Sequence, residues 1–115
     1  MVNTQNTPLD GIRVLDLGRY QAGPRCGLMF ARMGAEVIKV EGVNGDESRK
    51  NGPTVRGQSA YWVQYNSGKK SHAIDLRPDR GKEELTRLLK KSYSAYEKII
   101  QDHIQRRIIK KKKKE

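Results

Sequence analysis

The chain is poor in most of the residues that hold small proteins together without a large core. It has one cysteine, Cys26, so no internal disulfide framework can form, and a lone thiol fits a reducing, cytoplasmic compartment. One cysteine and two distant histidines, His72 and His103, fall short of a structural zinc donor set, and no metal is expected. Phenylalanine and tryptophan occur once each, and hydrophobic residues make up only 35% of the 115 positions. A chain of that length and composition supports one small domain with a modest core. It holds no apolar run of about 18 residues, which excludes a transmembrane helix. Residues 1–10 are polar and lack the apolar stretch of a secretory signal.

Acid is scarce too: 13 Asp and Glu face 24 Lys and Arg, a formal charge of +11. The excess is uneven. Residues 90–115 hold ten bases against three acids and contain no Gly or Pro, although the chain has 11 Gly and 4 Pro. A composition boundary therefore falls near Leu89. It separates a Gly- and Pro-bearing segment, 1–89, from a Lys- and Ile-rich tail, 90–115, that ends in the run Lys110 to Lys114. Such a run can bind nucleic acid or acidic lipid by counterion release. Without interleaved aromatics or a nucleic-acid module it reads as a solvated tail, and nucleic-acid binding is not expected.

The segment before the boundary alternates strand and helix signals. Residues 12–17 are short, apolar and flanked by Gly11 and Gly18, which predicts a strand buried on both faces. Residues 18–27 form a loop. Pro24 suits a first helical position, and a helix follows to Met33, with Leu28, Met29 and Met33 facing inward and Gly34 as its stop. Residues 36–41 predict a second strand, so the unit is βαβ and the sheet parallel. Residues 42–57 are a long polar loop, a length that usually marks function or disorder. Residues 59–65 are a short aromatic helix or turn, and 71–76 a third strand. Pro78 opens a helix with Leu85, Leu88 and Leu89 on its apolar face. That helix can continue through Tyr96, Ile99, Ile100, Ile104 and Ile108 into a long basic tail. The predicted fold is α/β: a partial Rossmann-like parallel sheet, β-α-β-loop-β-α, whose sites lie at the carboxyl ends of its strands.

Several residues there have chemistry to offer. The loop 18–27 precedes a helix whose amino end favours anions, and Arg19 and Arg25 add forked donors suited to phosphate. The alternative is an ordinary strand-to-helix turn. A dinucleotide reading fits poorly. Glu41 ends the second strand at a plausible distance, but Gly18, Gly23 and Gly27 do not match the glycine spacing, and Pro24 removes a backbone donor. Cys26 lies near a helix start beside Arg25, which favours a thiolate, but a small packing residue is the commoner use. His72 sits mid-strand with no visible acid-base partner and reads as packed. Asp16 reads as ordering a neighbouring loop. Asn66, Lys69, Lys70 and Arg77 bracket the third strand and would form a basic rim with Arg19 and Arg25, for a phosphorylated ligand or merely for solvent.

One series of motifs is more specific. It comprises Pro8-Leu-Asp-Gly-Ile-Arg-Val-Leu-Asp-Leu17, Gln21-Ala-Gly-Pro24, Met33-Gly-Ala-Glu-Val-Ile-Lys-Val-Glu41, Gly45-Asp-Glu-Ser-Arg49, Asn66-Ser-Gly-Lys-Lys-Ser71 and Ile74-Asp-Leu76. In this order and spacing they closely resemble the start of the family III CoA-transferases, the group of formyl-CoA and carnitine CoA-transferases, with α-methylacyl-CoA racemase a relative. The resemblance runs from about Pro8 to Leu89. It implies a Rossmann-like large domain, an interlocked homodimer, and coenzyme A as substrate. In that chemistry CoA moves from an acyl-CoA to a carboxylic acid after an Asp carboxylate attacks the thioester, with acyl-anhydride and enzyme-thioester intermediates. Carried over by position, Tyr20, Gln21 and Ala22 match the CoA-contacting loop after the first strand. Ile74, Asp75, Leu76 and Arg77 match the nucleotide-side segment after the third. Gly42 stands where some members carry a basic CoA contact. The family's catalytic Asp falls beyond residue 115, and Asp16 and Asp75 do not align with it. The chain is therefore expected to be a truncated or frameshifted N-terminal fragment, 1–89, with a divergent tail, 90–115, and no transferase activity alone. The competing expectation is a small basic binding protein that engages an acidic partner or nucleic acid through its Lys-rich tail.

Overall fold

A computed structural model describes residues 6–92. In chain order the elements are β1 (Arg13–Asp16), α1 (Ala22–Arg32), β2 (Glu36–Glu41), a 3-10 turn (Glu47–Lys50), β3 (Thr54–Val55), β4 (Gln58–Ser59), α2 (Ala60–Asn66), β5 (Lys70–Ala73) and α3 (Asp79–Lys90). β1, β2 and β5 form one parallel sheet with β2 central. Arg13 pairs with Glu36 and Asp16 with Lys39, while Ile38 pairs with Lys70 and Glu41 with Ala73.

Alternation along the strands sorts the core into two layers. Leu15, Ile38 and Val40 face α3 and pack with Ile74, Leu85, Leu17, Leu88 and Leu89. Val14 and Val37 face α1 and pack with Ala35, Leu9, Ile12, Phe30 and Ala31. The helices thus cover opposite faces of the sheet, as the βαβ pattern requires. On the α1 face the strands turn polar toward their carboxyl ends: Asp16, Lys39 and Glu41 follow Val14 and Val37, and all three are buried.

Several expectations are corrected. Leu28 is buried, but Met29 is 57% exposed and Met33 is exposed too. The helix starts two residues before Pro24, and its inward face is the i, i+3, i+4 stripe of Pro24, Gly27 and Leu28, with Phe30 and Ala31 packed alongside. Gly34 does end the helix, with φ +98°. The long loop 42–57 is not structureless. It holds the 3-10 turn, capped where Asp46 accepts from the Ser48 amide, and the β3–β4 hairpin, whose two turn residues Arg56 and Gly57 both have positive φ. Of the two forms expected for residues 59–65, the helix is found: α2, Ala60–Asn66, capped by the Ser59 hydroxyl. The third strand is shorter and earlier than expected, ending at Ala73, so Ile74 to Pro78 form a connection rather than a strand. The predicted continuation of α3, the tail 90–115 beyond Ser92, and His103 lie outside the described residues.

Candidate CoA-binding site

The strands' carboxyl ends place three segments at one end of the sheet: 17–21 after β1, 42–46 after β2, and 74–78 after β5. The expected site residues fall in the first, extended by Ala22 at the start of α1, and in the third, on either side of β2. Two strand spacings separate them, roughly 10 Å.

Side chains rising from the sheet fix the first segment. Asp16 Oδ1 accepts from the Gly18 amide at 2.8 Å, and the buried Lys39 ammonium donates to the Gly18 carbonyl. Asp16 Oδ2 accepts from Lys69 Nζ at 2.7 Å, and that ammonium also donates to the Pro24 carbonyl and Asn66 Oδ1 at 2.6 and 2.9 Å. Asp16 therefore orders its neighbouring loop, as the sequence suggests. The glycines that fail the dinucleotide spacing have a steric role here. A Cβ on Gly18 would stand 2.8 Å from Gly23 Cα, and a Cβ on Gly27 would stand 2.8 Å from Asp16 Oδ2.

Tyr20 follows with φ +59°, a conformation rare outside glycine, and its hydroxyl donates to Glu47 Oε2. That bond to a carboxylate pushes the phenol pKa up. Gln21 donates to the Tyr65 hydroxyl at 2.9 Å, tying the start of α1 to α2. Tyr20, Gln21 and Ala22 are all exposed. In the third segment Ile74 is 3% exposed and belongs to the core, and its amide donates to the Glu41 carbonyl at 2.8 Å, so it lies beneath the exposed part of the segment. Arg77 forks onto Asp75, with Nε and Nη2 each donating at 2.9 Å. That pairing holds the Asp75 carboxyl below its ordinary value and raises the guanidinium's. Leu76 and Arg77 are exposed. Gly42 is exposed, and a Cβ there would meet nothing within 4 Å.

The middle segment carries a network that sequence reasoning missed. Arg49 donates to Glu41 Oε2 at 2.9 Å and Oε1 at 2.7 Å, and its guanidinium stacks 3.7 Å from the Trp62 ring centroid. Glu41 also accepts from the Asp46 amide and the Ser71 hydroxyl. Asp46 lies 3.4 Å from Lys39 and accepts from Ser48. Burial pushes both carboxyls up, but these donors outweigh it and hold Glu41 and Asp46 below the usual carboxylate values. Burial also drives the Lys69 pKa down, against the pull of Asp16. The signal was present in the alternation Val37-Ile38-Lys39-Val40-Glu41, which sets two charges on a buried face.

The expected basic rim is therefore wrong in part. The Lys69 side chain is 1% exposed and neutralised, and Asn66 is buried. Lys70 pairs with Glu36, and Arg77 with Asp75. Arg19 and Arg25 remain exposed. Cys26 is exposed, not a packing residue. His72 is part-buried and does have a partner, Glu84 Oε1 at 2.7 Å from Nε2. Among the described residues no group of three His, Cys, Asp or Glu is placed to hold a metal, and no helix is long and apolar enough to cross a membrane.

A parallel sheet with helices on both faces and loops gathered at its carboxyl end defines an α/β protein. The family model of CoA-transferase family III matches residues 9–105, and the chain belongs to that family. It is 45% identical over 84 residues to a succinyl-CoA–D-citramalate CoA-transferase of Chloroflexus aurantiacus, covering 71% of this chain and 21% of the relative. It is 39% identical over 87 residues to a formyl-CoA:oxalate CoA-transferase of Streptomyces coelicolor, covering 73% and 21%. A crystal structure of a CAIB/BAIF family protein from Brucella suis superposes with a TM-score of 0.71 at 43% identity, covering 76% of this chain and 25% of that one. The chain thus spans about a fifth of the length of the curated relatives it matches.

Proposed function

We propose that this chain forms the CoA-holding portion of a CoA-transferase that moves CoA between an acyl-CoA and a carboxylic acid. The observation that carries the reading is the placement of the exposed Tyr20–Gln21–Ala22 and of the half-buried Asp75 with the exposed Leu76 and Arg77 at the same end of one parallel sheet. CoA is long enough to bridge them. Arg77, already oriented by Asp75, keeps further guanidinium N–H donors for a phosphate, and an Arg fork matches phosphate geometry. Ile74 anchors the segment in the core through its side chain and its amide bond to the Glu41 carbonyl. The β1–α1 loop takes the other part of the molecule.

None of the three Asp carboxylates near the strand ends is free to act as the nucleophile. Asp16 is committed to Lys69 and Gly18, Asp46 to Ser48 and Lys39, and Asp75 to Arg77. An acyl anhydride needs an unencumbered carboxylate aimed at the thioester. We therefore expect the chain alone to bind CoA weakly and to turn nothing over. Dimerisation and a cytoplasmic setting come with the same reading, and sedimentation and cell fractionation check them.

The direct test is calorimetric titration of the full chain with CoA. Binding is expected, with Kd raised about tenfold by Arg77→Ala and by Gln21→Ala, roughly 1.4 kcal/mol each. No binding at millimolar CoA, or binding indifferent to both substitutions, refutes the proposal.

A further inference from the structure

We propose that Lys39 is a positioning residue for the β1–α1 loop. It holds the Gly18 carbonyl, and with it Tyr20, Gln21 and Ala22, against the 42–50 segment. The functional consequence rests on the reading of that loop as a CoA contact; the structural claim does not.

Lys39 lies in the central strand with its side chain 1% exposed. Burying an ammonium there carries a desolvation penalty that a methionine of similar length would avoid. What the charge does is specific. An ammonium has three donors. One meets the Gly18 carbonyl, Asp46 Oδ2 lies at 3.4 Å, and the Trp62 ring centroid at 5.7 Å. Asp16 takes the Gly18 amide from the same face of the sheet. Both backbone polar groups of Gly18 are thus fixed by side chains rooted in β1 and β2. Two residues later Tyr20 holds a left-handed φ of +59°, which persists only where the surroundings over-determine it. Gly18 is the fixed point from which that turn departs. Lys39 also reaches the second loop through Asp46, and Tyr20 reaches it through Glu47, so the two loops are joined below and above.

The test uses the full chain, with Lys39→Met and the double variant Lys39→Met/Asp46→Asn, which leaves no buried carboxylate uncompensated. Amide hydrogen exchange of the unliganded protein reads the loop directly. The expected result is exchange faster by about tenfold at residues 18–22, with β2 and β5 amides unchanged. CoA affinity is expected to fall by about tenfold, while adenosine 3′,5′-bisphosphate, which needs only the 74–77 segment, loses less than about twofold. Unchanged exchange at 18–22, an equal rise across the sheet, or failure of both variants to fold overturns the proposal, the last because Lys39 would then serve the fold rather than the loop. If the unaltered chain binds no CoA, the functional reading fails, and the exchange result still decides whether Lys39 positions the loop.

Discussion

The charges that matter in this molecule are the ones it hides. Asp16 and Lys69 pair at 2.7 Å with side chains 4% and 1% exposed, and every donor of the ammonium is used. Removing one member of such a pair strands the other, at about 3–5 kcal/mol, whereas removing both costs far less. Lys69→Met is expected to lose that amount in urea unfolding, and Asp16→Asn/Lys69→Met to recover at least half of it. A double variant as unstable as the sum of the singles would show that the pair is not coupled. Glu41 and Asp46 make an acid-sensitive counterpart. Their folded-state pKa values lie below the unfolded ones. Their stabilisation is therefore complete above the unfolded carboxylate range, about 4, and is lost as pH falls through the lower folded values. The urea midpoint should hold from pH 7 to about 5 and drop below about 4. Glu41→Gln should lower the neutral midpoint and flatten that acid limb; an unchanged limb would place the acid response elsewhere.

Among the elements, α3 shows most plainly how a periodic pattern becomes a layer. Leu85 is 8% exposed and packs on Leu15, Ile38, Val40 and Ile74, with Leu88 and Leu89 flanking. Leu85→Ala should cost about 2–5 kcal/mol by lost burial and the cavity left behind. Val63→Ala, on an exposed position of α2, should cost less than about 0.5 kcal/mol. Thermal unfolding of the two variants checks the contrast. The same pattern made α3, β1, β2 and the βαβ unit legible in the sequence, because apolar period and Gly or Pro punctuation are local signals. The inward face of α1 was misjudged: it is the stripe Pro24, Gly27 and Leu28, at i, i+3 and i+4, and Met29, one position beyond it, points outward. The Asp16–Lys69 pair was missed because it joins residues 53 positions apart, and no local pattern announces a partner that distant. Tyr20, Gln21 and Ala22 could be placed at a strand end from periodicity alone. The Tyr20–Glu47 bond and the Asp75–Arg77 fork needed the fold.

For the molecule as a whole, the decisive question is whether a three-stranded sheet spanning about a fifth of its relatives' length is a ligand-binding body. Linkage answers it through the stability of the folded chain. A ligand that binds only the folded chain stabilises it by about 2.7 kcal/mol at 100 times its Kd. In a domain of this size that raises the melting temperature by on the order of 10 °C. The net charge of +11 complicates the measurement, since any polyanion relieves self-repulsion and lifts stability somewhat. That contribution is screened by salt and indifferent to shape, whereas a fitted site retains most of its selectivity when screening is strong. The expected outcome at fixed ionic strength near 0.15 M is a melting shift with CoA that exceeds the shift with equimolar inorganic pyrophosphate and is at least halved by Arg77→Ala. Equal shifts for the two anions, insensitive to Arg77, would mean that the chain responds to charge alone and that its strand ends do not assemble a CoA site.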